Sequence, residues 1–361
     1  MGLVRANIRV RPNIAGTRAM TALRILAAGL GVTLQDGGRH GYLRFGVTAA
    51  GPMDRLAFAT ANAAAGAKRN ATAIEVSLGG LELAADAAVS LAVAGGAFRI
   101  ELAGRPLPSA AVAMLEPGQK LAIRPGDAGA WCYVAVAGRI DVPNMLGSTA
   151  THTRSGLGGI SGRALAAGDV LPFAEPRTLE PKLATLDAHW LARAGTTIRV
   201  VLGPQDDYFS KAAIAAFLAG PWTLSARSDR MAYLLEGERL AHAKGFNIVS
   251  DGIAFGAIQV PGDGQPVVLM ADRQPTGGYP KIANVIGADL GIIAQLRPGT
   301  QISFAAVTIE EAVAARRAEA LALKRPIPRE PLMRTEFPSE FLLGLNLVDG
   351  VIADDAADEG A

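Results

Sequence analysis

The chain has 361 residues, 35 of them Lys or Arg and 33 Asp or Glu, for a formal charge of +2. At roughly 150 residues per domain this length points to two domains, and a hydrophobic share of 50% is ample for sizeable cores. The near-neutral balance lacks the basic stripe of a nucleic-acid binder, one cysteine (Cys132) excludes an internal disulfide framework and a cysteine-based zinc site, and no apolar run approaches the ~18 residues of a membrane helix.

Residues 1–19 carry Arg5, Arg9, Arg11 and Arg18 and no acid. They lack the apolar centre of a secretory signal; an Arg-rich transit peptide is one reading, and the simpler one is a disordered extension, or sequence ahead of a true start at Met20. Without those four arginines the chain is mildly acidic. With one thiol and no signal, the cytoplasm is the expected compartment.

From there the chain reads as short strands between glycine turns, a mainly β fold with few helices. The expected strands are Leu23–Ala27, Val32–Gln35, Ala73–Leu78, Val89–Ala94, Phe98–Leu102, Lys120–Arg124 and Trp131–Val136. After a break come Ile198–Leu202, Trp222–Ala226, Tyr233–Leu235, Ala257–Val260, Val267–Ala271 and Gln301–Ala305. A helix is predicted over Pro52–Ala65, with Asp54 in its first turn and Gly66 as its stop. A second is predicted over Asp206–Ala219, with apolar residues at Phe209, Ala213 and Phe217. Thr308-Ile309-Glu310-Glu311 is a capping box opening a third, to about Leu323. Pro176, Pro181 and weak strand periodicity put a boundary between Glu175 and Gly195. The expected domains are 20–180 and 195–325, followed by a tail, 326–361, with one apolar segment (Phe341-Leu342-Leu343) and an acidic end.

The densest polar segment runs from Ser250 to Lys281. The strand Val267–Ala271 delivers Asp272 to its end, and Arg273, Gln274, Thr276, Gly277, Gly278, Tyr279 and Lys281 follow. Adjacent glycines let backbone N–H groups approach an oxygen ligand closely. Arg and Lys suit a carboxylate, while Gln and backbone suit an amide. A polar hairpin with internal Asp–Arg pairing would use the same residue types. Asp36 and Arg39 in Gln35–Gly41, and Asp229 and Arg230 after Trp222–Ala226, read more simply as tight turns with exposed ion pairs, worth at most about 1 kcal/mol each. Gly156-Leu157-Gly158-Gly159 lacks the Gly-Lys-Ser/Thr ending of a phosphate loop. His40, His152, His189 and His242 have no ligand spacing, so no metal centre is expected. Cys132 sits in an apolar strand and reads as a buried hydrophobe. No Gly-x-Ser-x-Gly elbow is present.

These segments resemble, in order, the biotin-dependent carboxyltransferase family, also called allophanate hydrolase subunit 2 or KipA-like, which includes the C component of the bacterial ATP-dependent 5-oxoprolinase. The matching stretches are Gln35–Gly41 with Gly51–Asp54, Gly156–Gly159 with Gly162–Leu165, Gly203–Phe209, Ser228–Met231, Ser250–Gly252, Gly256–Pro261, and Asp272–Gln274 with Thr276–Ile282. Together they cover Met20 to about Val307. The chain departs from the family at Ser148-Thr149-Ala150-Thr151, where Ser-Arg-Ser-Thr is usual, and at Asn284, where Thr is common.

The resemblance implies tandem cyclophilin-like β-barrel domains. It implies a cytosolic complex with two further proteins, one KipI-like and one LamB/YcsF-like. The activity it implies first is ATP-driven opening of 5-oxoproline to glutamate, a small lactam substrate. Asp272 or Asp251 would act as base or hold the lactam N–H, Arg273 or Lys281 would neutralise a carboxylate, and Tyr279, Gln259 and the Gly277 and Gly278 amides would orient the carbonyl. Ser250, Gln274, Thr276, Asp36, Arg39, Asp229 and Arg230 complete the candidate substrate-binding set. An alternative is carboxyl transfer from a separate biotin protein to urea or a related amide. A third is a non-enzymatic partner that neutralises a KipI-like kinase inhibitor. No biotin-attachment Met-Lys-Met and no ATP-grasp pattern is present, so this chain alone is not expected to consume ATP or carry biotin; ATP is expected as a substrate of the complex, and biotin only under the carboxyl-transfer alternative.

Overall fold

The computed structural model describes residues 21–193, 195–332 and 339. The expectations for residues 1–19 and for the apolar and acidic parts of the tail lie outside that range.

The mainly β expectation holds. Two seven-stranded sheets and a closed seven-stranded barrel account for most of the strands. The first sheet runs, in spatial order, Arg139–Ile140, Val170–Ala174, Ala22–Ala28, Leu81–Ala85, Lys120–Arg124, Arg99–Leu102 and Arg105–Leu107. The second runs Thr33–Gln35, Ala73–Val76, Cys132–Val136, Val89–Gly95, Ala111–Leu115, Leu183–Leu186 and Arg329–Pro331. The barrel closes through Thr197–Leu202, Lys281–Val285, Ala257–Gln259, Val267–Leu269, Ala232–Glu236, Trp222–Leu224 and Gln301–Ala306. Its only parallel contact joins Thr197–Leu202 to Gln301–Ala306, among the described pairings.

The strand period of two explains the two cores. In Cys132–Val136, the side chains of Cys132, Val134 and Val136 enter the core between the sheets, with Leu23, Ile25, Leu83 and Leu121. Tyr133 and Ala135 enter the other core, which also holds Phe58, Ala57 and Ala61 of helix α1 (Arg55–Ala64) and the barrel interior. The strand is buried on both faces, so it reads as a continuous apolar run. Alanines at 92, 94 and 135 keep the sheet surface low where α1 lies.

Helix α1 is capped by Asp54, whose Oδ1 accepts from the N–H groups of Leu56 and Ala57, each at 3.1 Å. The second predicted helix begins later than expected. Asp206–Tyr208 forms a separate 3-10 turn, Phe209 is extended, and Ser210 caps α2 (Lys211–Ala219) by accepting from Ala213 N–H. Buried Phe209 lies 5.1 Å from the His242 ring, a contact the extended backbone permits. Helix α3 (Leu290–Ala294) has no counterpart among the predicted elements. Helix α4 (Ile309–Ala322) carries the predicted Thr308–Glu311 capping box. Leu183–Leu186 and Arg329–Pro331, which flank the barrel in sequence, pair with each other at the edge of the second sheet. Among the described residues no helix is long and apolar enough to cross a membrane.

Candidate functional site

The segment around Asp272 does not form one polar cluster. Its charged side chains point to three places.

Asp272 faces the junction between the barrel and the second sheet. Arg230 donates from Nε to Oδ2 at 2.9 Å and from Nη2 to Oδ1 at 2.8 Å. The same guanidinium donates from Nη1 to Glu75 Oε1 and from Nη2 to the Gly51 carbonyl at 2.8 Å. Glu75 Oε2 accepts from Met53 N–H and Tyr133 O–H, both at 2.8 Å. Asp229 shapes the turn that aims Arg230, accepting from Met231 N–H at 2.7 Å. Burial opposes the charge on Arg230, but Asp272 and Glu75 outweigh it and raise its pKa above the usual guanidinium range. Burial pushes Glu75 up, with Arg230 acting against it. The surface-turn expectation for Ser228–Arg230 is therefore corrected for Arg230, which is buried and saturated by protein partners. Asp229 does meet Arg154 in an exposed pair at 3.3 Å.

The expectation of an exposed pair at Asp36 and Arg39 is corrected as well. Arg39 is buried and donates to the carbonyls of Met145 (2.9 Å), Ala150 (2.9 Å) and Ser148 (3.3 Å). Asp36 accepts from Ser148 O–H at 2.6 Å and Thr149 N–H at 2.8 Å. Together they hold the loop 148–151. Arg39 Nη1 and Thr151 Oγ1 are buried with no partner among the described residues. Burial lowers the Arg39 pKa, against Asp36 and Asp272. The nearby Gly158 is required by packing: a Cβ there would lie 1.9 Å from the Ala150 carbonyl and 2.9 Å from Arg39 Nη2.

Arg273 turns elsewhere. It donates to the carbonyls of Ile253 (3.0 Å) and Met270 (3.3 Å), and its guanidinium sits 5.7 Å from the Phe255 ring centroid. Burial, and then the charge of Arg55, push its pKa down to about 10.

Lys281 and Asp251 meet at one end of the barrel. Lys281 Nζ donates to Asp251 Oδ2 at 2.8 Å; the lysine is buried and the aspartate half exposed. Asp251–Gly252 pairs with Thr276–Gly277, which puts the two segments side by side. The Lys281 hydrogen bond, helped by Gly252 N–H, holds the Asp251 carboxyl below its usual range. Gln259, buried beside them, donates to the Tyr279 carbonyl at 3.2 Å. A Cβ on Gly277 would lie 2.7 Å from Gln259 Nε2. Ser250 approaches Gly278, Tyr279 is exposed, Gln274 is half-buried and Thr276 is exposed. Among the described residues no hydrogen bond joins Asp272 to Asp251 or Lys281.

A cavity of about 590 Å³ lies between the halves. Leu30, Trp131 and Arg154 bound it on one side, and Asp229, Tyr233 and Asp272 on the other. Trp131 Nε1 donates to the Tyr233 hydroxyl oxygen at 3.1 Å across the junction. The cavity volume falls in the ~300–1,000 Å³ range of small-molecule pockets. Among the described residues no group of three His, Cys, Asp or Glu could hold a metal ion.

Several residues escape sequence reasoning. Glu75 is the only acid in Ala73–Val76, a run buried throughout, and a carboxylate there signals a buried partner. Gln205 exchanges hydrogen bonds with the Lys281 backbone at 3.0 and 3.1 Å. Gln295 binds Ala130, Trp131 and Asp54; no local pattern marks it.

Residues 45–306 match the family model described as carboxyltransferase domain, subdomain A and B. The chain is 39% identical to the C component of 5-oxoprolinase from Escherichia coli, over 81% of this chain and 94% of that protein. It is 38% identical to the component of the same name from Haemophilus influenzae, over 79% and 91%. The crystal structure of the K. lactis urea amidolyase superposes with a TM-score of 0.78 at 28% identity, covering 84% of this chain and 20% of that one. The structure of TTHA0988 gives a TM-score of 0.72 at 32% identity, over 80% of this chain and 56% of that one. The order of matched segments, the barrel and the near full-length relatives agree: the chain belongs to the carboxyltransferase-domain family, spanning subdomains A and B.

Proposed function

We propose that the chain is the C component of a 5-oxoprolinase complex, which opens 5-oxo-L-proline to L-glutamate with hydrolysis of ATP. The observation that carries this reading is identity of 39% extending over 94% of the E. coli protein of that name. The proposed partners are a KipI-like protein and a LamB/YcsF-like protein, in the cytoplasm.

The substrate offers a lactam N–H, a carbonyl and a carboxylate. In this reading Lys281, nearly buried but with donors beyond its one bond to Asp251, neutralises the carboxylate. Asp251 is a poor general base, because efficient bases titrate near the working pH and its pKa is held low. It serves better as the acceptor for the lactam N–H. Tyr279 and the Gly277–Gly278 backbone flank the same end of the barrel and orient the carbonyl. Asp272 has both oxygens engaged by Arg230, so it acts as a positioning group beside the junction cavity. ATP is a substrate of the whole complex. Gly156–Gly159 does not fit its phosphates, because Gly158 and Gly159 are packed against Ala150 and Thr151, so no step through ATP is assigned to this chain.

The test is reconstitution with both partner proteins and measurement of ATP-dependent glutamate release. Lys281→Met and Asp251→Asn are expected to lower turnover by about 10²–10³, the scale of losing one well-placed polar group. Unchanged turnover in both would remove the barrel-end assignment, and no glutamate release by the wild-type complex would remove the reading itself.

The likeness to the K. lactis urea amidolyase over 84% of this chain supports a second reading. There the chain takes a carboxyl group from biotin held on another protein and passes it to urea or a related amide. Carboxylation of urea by the chain plus a carboxybiotin carrier, without glutamate release, would favour it.

A further inference from the structure

A second cavity, about 250 Å³, lies between α1 and α4 and shares no lining residue with the junction cavity. Arg55, Arg69, Arg316, His40, Asn70 and Glu319 contribute its polar lining. Three guanidinium groups thus meet one carboxylate, and that carboxylate is already paired with Arg316. Arg69 donates to the Leu323 carbonyl at 3.1 Å, at the C-terminal end of α4. Arg55 has no carboxylate within ion-pair distance among the described residues. It lies over the Phe255 ring at 5.1 Å, and Arg273 approaches the same ring at 5.7 Å. Desolvation first, and then the like charge of Arg316, hold the Arg55 pKa down, against the attraction of Glu319.

Three guanidinium groups around a concave surface, with only Arg316 held in an ion pair among the described residues, match the geometry of oxyanion recognition, since Arg offers planar pairs of donors to phosphate or carboxylate. The volume is below the ~300–1,000 Å³ of pockets that enclose drug-sized ligands. It suits a compact anion and not a whole nucleotide. A tetrahedral dianion would accept from several donors at once and relieve the Arg55–Arg316 repulsion.

We propose that the cavity between α1 and α4 is a binding site for a compact oxyanion of the phosphate class, held by Arg55, Arg69 and Arg316.

The experiment is calorimetric titration of the full chain with sodium phosphate, against sodium chloride at equal ionic strength. Saturable phosphate binding is expected, weakened at least tenfold in Arg55→Met and in Arg69→Met, and partly retained in Arg55→Lys. Thermal unfolding without phosphate identifies which variants are folded. Either of two results overturns the proposal: no saturable phosphate binding beyond chloride, or full affinity in a folded Arg55→Met or Arg69→Met variant. The outcome is independent of 5-oxoprolinase activity, so failure of one reading does not carry to the other.

Discussion

Arg230 of the barrel donates to Glu75 of the second sheet, 155 positions away, while holding Asp272 with two hydrogen bonds. One buried cation thus joins two buried carboxylates from the two halves of the molecule. Tyr133 and Met53 satisfy the remaining oxygen of Glu75. Such a group is weak evidence for net stability, because desolvation offsets the attraction, but removing one partner leaves charge uncompensated.

Arg230→Met should therefore destabilise the chain by about 3–5 kcal/mol, the usual loss when a buried pair is broken. Urea unfolding measures it. A loss below about 1 kcal/mol would mean that water reaches the carboxylates and that the network does not lock the halves together. Asp229→Asn, at the exposed end of the same turn, should cost far less.

What the sequence makes legible is local. The Thr308–Glu311 box is visible because both residues and the groups they bind lie within one turn. The glycine-bounded strands of the barrel are visible for the same reason. Leu81–Ala85 and Ala111–Leu115 are hidden because alanine is a weak strand former, and their place depends on neighbours far along the chain. Lys281–Val285 is hidden because its first residue closes a polar motif. The site divides in the same way. Asp251 and Lys281 fall within one polar segment and meet. Arg230 and Asp272 fall in separate segments, and their bond needs Glu75, whose partners lie in other elements. Nothing in the order Asp272-Arg273 foretells that adjacent side chains serve different places: the strand expected to run to Ala271 ends at Leu269, and both residues lie in the turn beyond it, where Arg273 N–H bonds the Met270 carbonyl at 3.3 Å.

Gln295 joins the halves a second time. Its Oε1 accepts from Ala130 N–H (2.9 Å) and Trp131 N–H (3.0 Å), and its Nε2 donates to Asp54 Oδ2 and the Trp131 carbonyl, each at 2.9 Å. Gln295→Ala orphans two backbone donors at the junction. At about 1–3 kcal/mol per buried unsatisfied group, a loss of about 2–4 kcal/mol is expected by denaturant titration. A variant as stable as wild type would show that water replaces the amide there.

The Asp251 carboxyl is held below its ordinary value by the Lys281 hydrogen bond first. A depressed folded-state pKa gives stability that is present above the unfolded pKa and lost as pH falls through the folded one. With an unfolded value of about 3.9, this contribution is constant from pH 7 to 5 and fades only below about pH 4. Thermal midpoints of wild type and Asp251→Asn should therefore differ by a constant amount above pH 5 and converge in acid. A difference that changes between pH 7 and 5 would contradict the assignment.

Cys132 offers a reporter on the whole structure. Its side chain lies in the core between the two sheets, and burial first, with Glu75 second, pushes the thiol pKa up. Only the thiolate reacts readily, so the native chain should resist an aromatic disulfide reagent at pH 8 and release one thiol equivalent in denaturant. When reclosing outruns labelling, the slow native reaction follows the population of the open form. Arg230→Met, if it removes 3–5 kcal/mol as argued above, should then accelerate labelling by about 10²–10³ or more, at ~1.4 kcal/mol per factor of ten. Rapid labelling of the folded wild type would place the thiol outside the core. Equal labelling rates in the two proteins would show that Cys132 is exposed by a local opening of its sheet that does not break the Arg230 contacts.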